Sequence, residues 1–222
     1  MLMQIPDVLA PPALEALRGQ LSSAQYVDGR ASAGAIAGRV KHNLELPAEA
    51  AAALSSETLR PLYAHPQFQA ATLPGRISGA TFARYEPGMT YGFHTDDPVM
   101  GRDGQRFRCD VAVTLMLSEP EDFDGGALVV QTPFGEQRAR PSAGTALVYP
   151  ASSLHAVEPV SRGVRLVAVA WVQSMVASAE QRQLLFDLWR VRDTLAAALP
   201  DAEVSAEADR IYANLTRMWA QF

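Results

Sequence analysis

The chain has 222 residues, 48% of them hydrophobic and 19% charged, a composition typical of one large domain and unlike disordered, collagen-like or coiled-coil chains. Its 19 Lys and Arg against 24 Asp and Glu give a net charge of −5, with no basic cluster, which disfavours a nucleic-acid partner. The single Cys109 excludes an internal disulfide, and with no export signal or membrane-spanning apolar run we expect a cytoplasmic protein.

Residues 1–75 are predicted to form a segment of helices and strands that packs on the rest of the chain. Apolar residues from Leu14 to Leu21 recur at helical spacing after Pro12, which suits the first turn of a helix. A second, Ala-rich helix is predicted from about Pro47 to Leu59, ending near Pro61.

Between these helices, residues 39–46 alternate in the manner of a half-buried strand. The alternation places Val40 and His42 on one face with the leucines that follow, and Lys41 and Asn43 on the other. We expect the face with Lys41 and Asn43 to be solvated; the alternative is that it borders a cleft.

Residues 76–177 read as short β-rich runs separated by turn residues. The runs are ISGATFARYEP, CDVAVTLMLS, ALVVQTPF, GTALVYP and RLVAVAWVQ. Their close, regular spacing predicts a sandwich or barrel of antiparallel strands. The fold class is therefore mainly β with flanking helices.

Residues 178–222 are predicted to form a helical hairpin. Ser178 and Gln181 have the spacing of a capping box, and an apolar stripe follows. That stripe comprises Leu184, Leu188, Val191 and Leu195. Pro200 ends the first helix, and Ile211, Leu215 and Met218 form the stripe of the second. The hairpin either covers the barrel or pairs with another subunit, and because the stripes are wide we expect a homodimer.

Three side chains are candidates for a metal site. His94 and Asp96, in the stretch YGFHTDD, point to the same side of an extended chain, and His155 follows the run GTALVYP at the start of a loop. Two imidazoles and one carboxylate form the facial triad of non-haem Fe(II) oxygenases, which leaves three positions open. The same ligands could hold zinc, but a hydrolytic zinc site needs a general base that the sequence does not single out. Iron is therefore favoured.

Arg165 is a candidate for binding an anion. It lies ten residues beyond His155 on an otherwise apolar strand, and alternation places it on the same face as Trp171. A small dicarboxylate fits this pocket, because one carboxylate would pair with the guanidinium while the other end reaches the metal.

The set His94, Asp96, His155 and Arg165 resembles the iron and 2-oxoglutarate dioxygenases of the prolyl 4-hydroxylase type. Within that group the chain resembles the bacterial PKHD-type hydroxylases. The matching stretches cover nearly the whole chain: IPDVL, YVDGR, RYEPGMTYGFHTD, DGGALVV, YPASSLHAVEPVSRGVR and WVQSM.

The resemblance implies a double-stranded β-helix, or jelly roll, with Fe(II) held by His94, Asp96 and His155. It implies 2-oxoglutarate as cosubstrate, bound by Arg165 and contacted by Tyr85, with ascorbate as a reductant that restores oxidised iron. Animal-type relatives carry a further tyrosine on the next strand, where this sequence has Leu115.

The expected function is hydroxylation of an unidentified small molecule or protein side chain with release of succinate and CO₂. The alternative is a sensor on the same barrel that binds metal or dicarboxylate without turnover. We expect segments 31–43 and 97–108 to shape the substrate pocket, and the three arginines of MGRDGQRFR suggest polar or anionic groups on the substrate.

Overall fold

A computed structural model describes residues 2–101 and 103–221, in which five α-helices flank two facing antiparallel sheets. The helices are α1 (Pro11–Ser22), α2 (Ala48–Ala64), α3 (Pro66–Thr72), α4 (Ala179–Ala198) and α5 (Glu203–Trp219). None of these helices is both long enough and apolar enough to cross a membrane.

The strands of the structure in chain order are β1 (Met3–Ile5), β2 (Val27–Asp28), β3 (Lys41–His42), β4 (Leu44–Glu45), β5 (Pro74–Ile77), β6 (Thr81–Tyr85), β7 (Thr90–His94), β8 (Val99–Met100), β9 (Phe107–Arg108), β10 (Val111–Met116), β11 (Phe123–Gly125), β12 (Leu128–Thr132), β13 (Gly135–Ala139), β14 (Ala146–Pro150), β15 (His155–Val157), β16 (Val160–Gly163) and β17 (Arg165–Ser174). The larger sheet has the order β1-β14-β10-β17-β6-β4-β2, with β5 also paired to β17. The smaller sheet has the order β13-β12-β15-β7-β3. These sheets confirm the predicted mainly-β class with flanking helices.

The apolar residues of the larger sheet serve two separate cores. On β17, Leu166 and Ala168 face the helices and pack in a cluster with Leu17 of α1 and Leu62 of α2. Val167, on the opposite side of the same strand, belongs to the core between the two sheets. Because successive side chains of a strand alternate between faces, Arg165 and Trp171 lie on the inner side with Val167, as predicted. The inner side is the side that carries the cavity.

The second helix continues past the proline that was predicted to end it. Helix α2 runs to Ala64 with Pro61 inside it. Proline removes one backbone hydrogen bond, but the neighbouring Leu62 is fully buried, and its burial offsets that cost. The helix ends where His65 takes an extended conformation, because Pro66 disfavours the helical conformation in the residue before it.

The C-terminal hairpin forms with its predicted Ser178 cap, but the predicted apolar face of α4 was wrong. Leu184 and Val191 are exposed, whereas Leu185 and Phe186 are buried. Leu185 packs with Leu73 and Val176 and with three side chains of α5, Tyr212, Leu215 and Trp219. Phe186 packs on α3. The buried face of the hairpin is thus the one that packs against α3 and the residues after β17. Helical periodicity alone does not identify this face, because α4 has two apolar stripes side by side.

We expect Leu185→Ala to destabilise the protein by about 2 to 5 kcal/mol, because it opens a cavity in a closed cluster. The matched control Leu184→Ala should change the free energy of unfolding by less than about 0.5 kcal/mol, since Leu184 is 59% exposed and Leu185 is 0% exposed. Urea denaturation followed by circular dichroism measures both changes. Equal destabilisation by the two substitutions would contradict this packing.

Candidate active site

His94, Asp96 and His155 converge at one end of the smaller sheet. His94 is the last residue of β7 and His155 the first of β15, and the two are register partners across these paired strands. Asp96 follows two residues after β7, with its Oδ1 4.0 Å from His94 Nε2 and 3.8 Å from His155 Nε2. One ligand atom from each residue lies within 4.8 Å of the other two, so the three side chains could hold a single metal ion. His155 begins a strand and not the loop predicted from sequence.

Both imidazoles are oriented by backbone carbonyls. Nδ1 of His94 lies 2.8 Å from the Gly92 carbonyl oxygen, and Nδ1 of His155 lies 2.9 Å from that of Ser153. With the proton on Nδ1 donated to the carbonyl, each ring presents the Nε2 lone pair to the space between them. The ring of Tyr91 stacks on His94 with centroids 3.6 Å apart. Each ring is thereby fixed in the orientation that a metal ligand needs.

The electrostatics of the three residues suit a cation. Burial, together with the neighbouring His155, lowers the pKa of His94 to about 4, so its imidazole is neutral at physiological pH. Burial raises the pKa of Asp96, and Oδ2 of this carboxylate is buried without a hydrogen-bond partner in the described part of the chain. A desolvated carboxylate with an oxygen that lacks a partner among the described residues, beside the neutral imidazole of His94, is stabilised by a bound divalent ion.

Arg165 lies at the start of β17 and is 1% exposed. Its Nε and Nη1 have no hydrogen-bond partner among the described residues, and burial lowers its pKa. Its strand partner Tyr85 places the aromatic ring 5.0 Å from the guanidinium carbon. Gly126 packs against it: a Cβ there would lie 3.0 Å from Arg165 Cδ. A buried guanidinium without an anion is costly, so this position fits a ligand carboxylate.

A cavity of about 430 Å³ between the sheets is lined by His94, Asp96 and His155, the candidate metal-binding trio, and by Arg165. Its inner wall carries Tyr85, Thr114, Tyr149 and Val167. The half-buried Trp171 also lines it, and its indole N–H faces Asp96 and opposes the upward shift of that residue's pKa. The structure therefore brings all six predicted site residues to one cavity.

The expectation of a solvated face for Lys41 and Asn43 was wrong. Both are buried and line the cavity, together with Glu45, while His42 and Val40 are exposed. The reason is topological: Lys41 pairs with β7 in the smaller sheet, and Glu45 pairs with β6 in the larger. The segment crosses from one sheet to the other, so its inner side faces the cavity between them. The paired strands of both sheets bury the polar residues on that side, and strand alternation within one segment does not indicate such burial.

Three further residues of the site were not identified from the sequence. Tyr149 approaches His155 edge-on at 5.1 Å and is buried beside Arg165, and Tyr91 stacks on His94. Thr114 points into the cavity, whereas Leu115 faces the helices. Alternation along GTALVYP and VTLMLS identifies Tyr149 and Thr114 as inward-facing once one residue of each run is known to face inward.

The two segments expected to shape the substrate pocket do line the cavity mouth. Ser32, Ala33 and Gly34 contribute from one segment, Val99 and Met100 from the other. The arginines in the second segment do not: Arg106 pairs with Asp103, Arg108 pairs with Asp110, and neither lines the cavity. Arg102 lies outside the described residues. These side chains therefore give no support for an anionic substrate.

Comparison with known proteins agrees with this site. Residues 80–173 match the family model described as the 2OG-Fe(II) oxygenase superfamily. The chain is 53% identical over 222 residues to a PKHD-type hydroxylase of Thioalkalivibrio sulfidiphilus, covering 99% of each chain. It is 40% identical over 224 residues to the PKHD-type hydroxylase YbiX of Escherichia coli, covering 100% of each.

Solved structures agree on the fold. A prolyl-4-hydroxylase of Pseudomonas putida matches with a TM-score of 0.54 and 23% identity, covering 78% of this chain and 92% of that one. A prolyl hydroxylase of Trichoplax adhaerens, solved with a peptide fragment, matches with a TM-score of 0.57 and 17% identity, covering 83% and 86%. These likenesses confirm the predicted jelly-roll fold.

A jelly roll with a His-Asp-His cluster and a match to this superfamily defines an oxidoreductase of the iron and 2-oxoglutarate-dependent oxygenase class. On its full-length identity to the curated relatives, the chain belongs to the PKHD-type hydroxylases.

Cys109 lies close to this site without lining it. It is buried in the core between the sheets, and burial, reinforced by the charges of Asp96 and Asp110, raises the pKa of its thiol to about 12. A thiol with a raised folded pKa contributes stability below pH 9, the pKa expected for the unfolded chain, and loses it as the pH rises. The thiolate is the reactive form, so Cys109 is expected to be inert.

We expect iodoacetamide to alkylate Cys109 at pH 8.5 roughly a thousandfold more slowly in the folded protein than in urea, because the thiolate fraction differs by about that factor. Mass spectrometry of timed samples measures the rate. Comparable rates with and without urea would show that this thiol is neither buried nor shifted.

Proposed function

We propose that the chain binds Fe(II) through His94, Asp96 and His155 and 2-oxoglutarate through Arg165, and that it hydroxylates a substrate with release of succinate and CO₂. The observation that carries this proposal is one cavity holding three converging ligand atoms and a buried guanidinium that has no anionic partner among the described residues. When bound, the iron and the keto acid supply the oxidising chemistry that turns a C–H bond into C–OH.

The donor set fits iron. His94, Asp96 and His155 would hold the ion through two imidazole nitrogens and one carboxylate oxygen, the donor set typical of Fe(II) oxygenases that also bind a keto acid and oxygen. The partnerless Oδ2 of Asp96 and the two oriented Nε2 atoms are the atoms that such an ion would satisfy. Zinc could occupy the same ligands, but it would leave the partnerless Arg165 without a role.

The rest of the cavity fits 2-oxoglutarate. Arg165 would donate a bidentate pair of hydrogen bonds to the distal carboxylate through its planar guanidinium fork. The ring of Tyr85 lies 5.0 Å from the guanidinium carbon, and its hydroxyl would contact the same end of the cosubstrate. The apolar side chains of Leu128 and Val167 would exclude water around the chain of the cosubstrate. Trp171 would border it beside Asp96.

The alternative is a sensor that binds metal and dicarboxylate without turnover. Succinate release in the presence of Fe(II), 2-oxoglutarate and a candidate substrate distinguishes an enzyme from such a sensor. We further propose ascorbate as the reductant that keeps the iron ferrous, on the family resemblance. A reducing compartment such as the cytoplasm suits the ferrous ion and the single buried cysteine.

Asp96→Ala should abolish Fe(II) binding and turnover while the protein stays folded, because the carboxylate lines the cavity and belongs to neither of the two large apolar cores. His94→Ala should do the same. Asp97→Ala is the matched control: it removes the adjacent, exposed carboxylate and should keep metal affinity. Isothermal titration with Fe(II) under anaerobic conditions measures affinity. Retained binding in the Asp96 or His94 variant would refute the ligand assignment.

Arg165→Ala should weaken 2-oxoglutarate binding by roughly two to four orders of magnitude, since losing one partner of a desolvated pair costs about 3 to 5 kcal/mol. Arg165→Lys should fall between, because lysine keeps the charge and loses the fork. Arg162→Ala, on an exposed arginine paired with Asp124, is the control. Titration of the anaerobic Fe(II) protein follows the charge-transfer absorption of the chelate. Saturation of the Arg165→Ala variant at the wild-type concentration would rule out the dicarboxylate pocket.

We also propose that a second copy of the chain covers the outward side of the C-terminal hairpin. Six large apolar side chains are exposed there: Leu184, Val191, Leu199, Val204, Ile211 and Met218. Exposed apolar surface on this scale is typical of interaction sites. Light scattering at micromolar concentration should give twice the monomer mass, and the double variant Val191→Glu/Ile211→Glu should give the monomer mass. A monomeric wild type would contradict the proposal.

A further inference from the structure

Lys41 and Glu45 form a buried ion pair in the cavity wall that neither the metal nor the 2-oxoglutarate proposal uses. Lys41 Nζ lies 2.5 Å from Glu45 Oε1, and both side chains are under 10% exposed. The two residues sit at opposite ends of the segment that crosses between the sheets. The backbone of Lys41 is therefore held by the smaller sheet and that of Glu45 by the larger.

The pair keeps free hydrogen-bonding capacity. The Lys41 ammonium carries three donors and uses two, one to Glu45 and one to the Ser32 hydroxyl at 2.8 Å. Within the described residues, Glu45 accepts through Oε1 alone, which leaves Oε2 without a donor. Both residues line the cavity. One donor and one acceptor therefore remain for a molecule that enters it.

The pair also lies close to the metal-binding trio. Lys41 Nζ is 5.2 Å from the ring centroid of Tyr91, and the ring of His94 stacks on the same tyrosine with centroids 3.6 Å apart. A group bound at Lys41 and Glu45 is thus one aromatic ring away from the histidine. Atoms attached to that group would reach the space in front of the three ligands.

The charges of the pair select the chemistry of its ligand. A carboxylate on the ligand would be repelled by Glu45, and an ammonium would be repelled by Lys41. A neutral group with an acceptor beside a donor satisfies both partners without leaving either charge unpaired. The amide group has this arrangement, since its carbonyl oxygen and N–H are separated by one carbon atom.

We propose that Lys41 and Glu45 form a substrate subsite for a neutral amide. The amide carbonyl accepts a hydrogen bond from Lys41 Nζ, and the amide N–H donates one to Glu45 Oε2. This inference rests on the proposed function, because the cavity must be the active site for the subsite to bind substrate. The substrate class is then a molecule carrying a primary carboxamide next to the carbon that is hydroxylated, because a trans peptide group points its C=O and N–H in opposite directions.

The test uses three probes of similar size: butanamide, butanoate and butylamine. Mn(II) replaces iron, 2-oxoglutarate is saturating, and the broadening of each probe's proton signals in NMR titrations reports its binding near the metal. In the wild type, butanamide should bind about tenfold or more tightly than either charged probe, the difference expected of one charge-assisted hydrogen bond. Equal binding of all three probes, or broadening of none, would overturn the subsite.

Two variants separate recognition from a structural role. Glu45→Gln leaves a lone lysine, so preference should shift from butanamide to butanoate, a gain that loss of packing would not produce. Lys41→Met/Glu45→Gln leaves no lone buried charge and should abolish any preference among the probes. An unchanged amide preference in either variant would refute the proposal. The double variant decides alone if Glu45→Gln does not fold.

The control is Glu86→Gln, which removes the charge from an ion pair with Arg84 outside the cavity and should keep the wild-type order of probes. Failure of the proposed function is seen separately. If the wild type does not bind Mn(II) and 2-oxoglutarate before any probe is added, the active-site assignment is wrong. If it binds both and the probes do not differ, only the amide subsite is wrong.

Discussion

The pairing of β7 with β15 is the constraint on which the site depends. The register sets His94 opposite His155, although 60 residues of chain separate them. Their Nδ1 atoms meet carbonyl oxygens two residues earlier in the chain, at Gly92 and Ser153. The backbone that joins the strands therefore also aims the rings. Asp96 completes the cluster because β7 ends at His94, which lets the chain turn the carboxylate toward both imidazoles.

Several polar groups that line the cavity have hydrogen-bonding capacity that the described residues leave unused. In the part of the chain that the structure describes, one oxygen of Asp96 and two nitrogens of Arg165 have no hydrogen-bond partner. The ion pair of Lys41 and Glu45 is balanced within itself but not saturated. Unsatisfied buried polar groups are costly, and because these groups share one cavity the structure favours a ligand that would partner them. The packing that stabilises the barrel lies in the helix-covered face of the larger sheet and in the apolar core between the sheets.

The two faces of the larger sheet carry different kinds of side chain. Its outer side carries the cluster that joins α1, α2 and α3 to the sheet. The C-terminal hairpin adds a separate small cluster around Leu185 and Val176. The inner side of the sheet carries Tyr85, Tyr149 and Arg165 toward the cavity, and its apolar residues form the core between the sheets.

The sequence by itself predicted His94, Asp96 and His155 as metal ligands, Arg165 as an anion-binding residue, and the inner face of β17. Those predictions depend on residue types that have few other uses at such positions, and on strand alternation, which is local. Tertiary structure alone decided the burial of Lys41 and Glu45, because a polar segment is buried only when strands from two different sheets enclose it. Tertiary structure also decided which face of α4 packs inward, because the surface that a helix meets determines which of its two apolar stripes is buried. It likewise decided that α2 continues past Pro61, because burial of the following residues outweighs the hydrogen bond that proline removes.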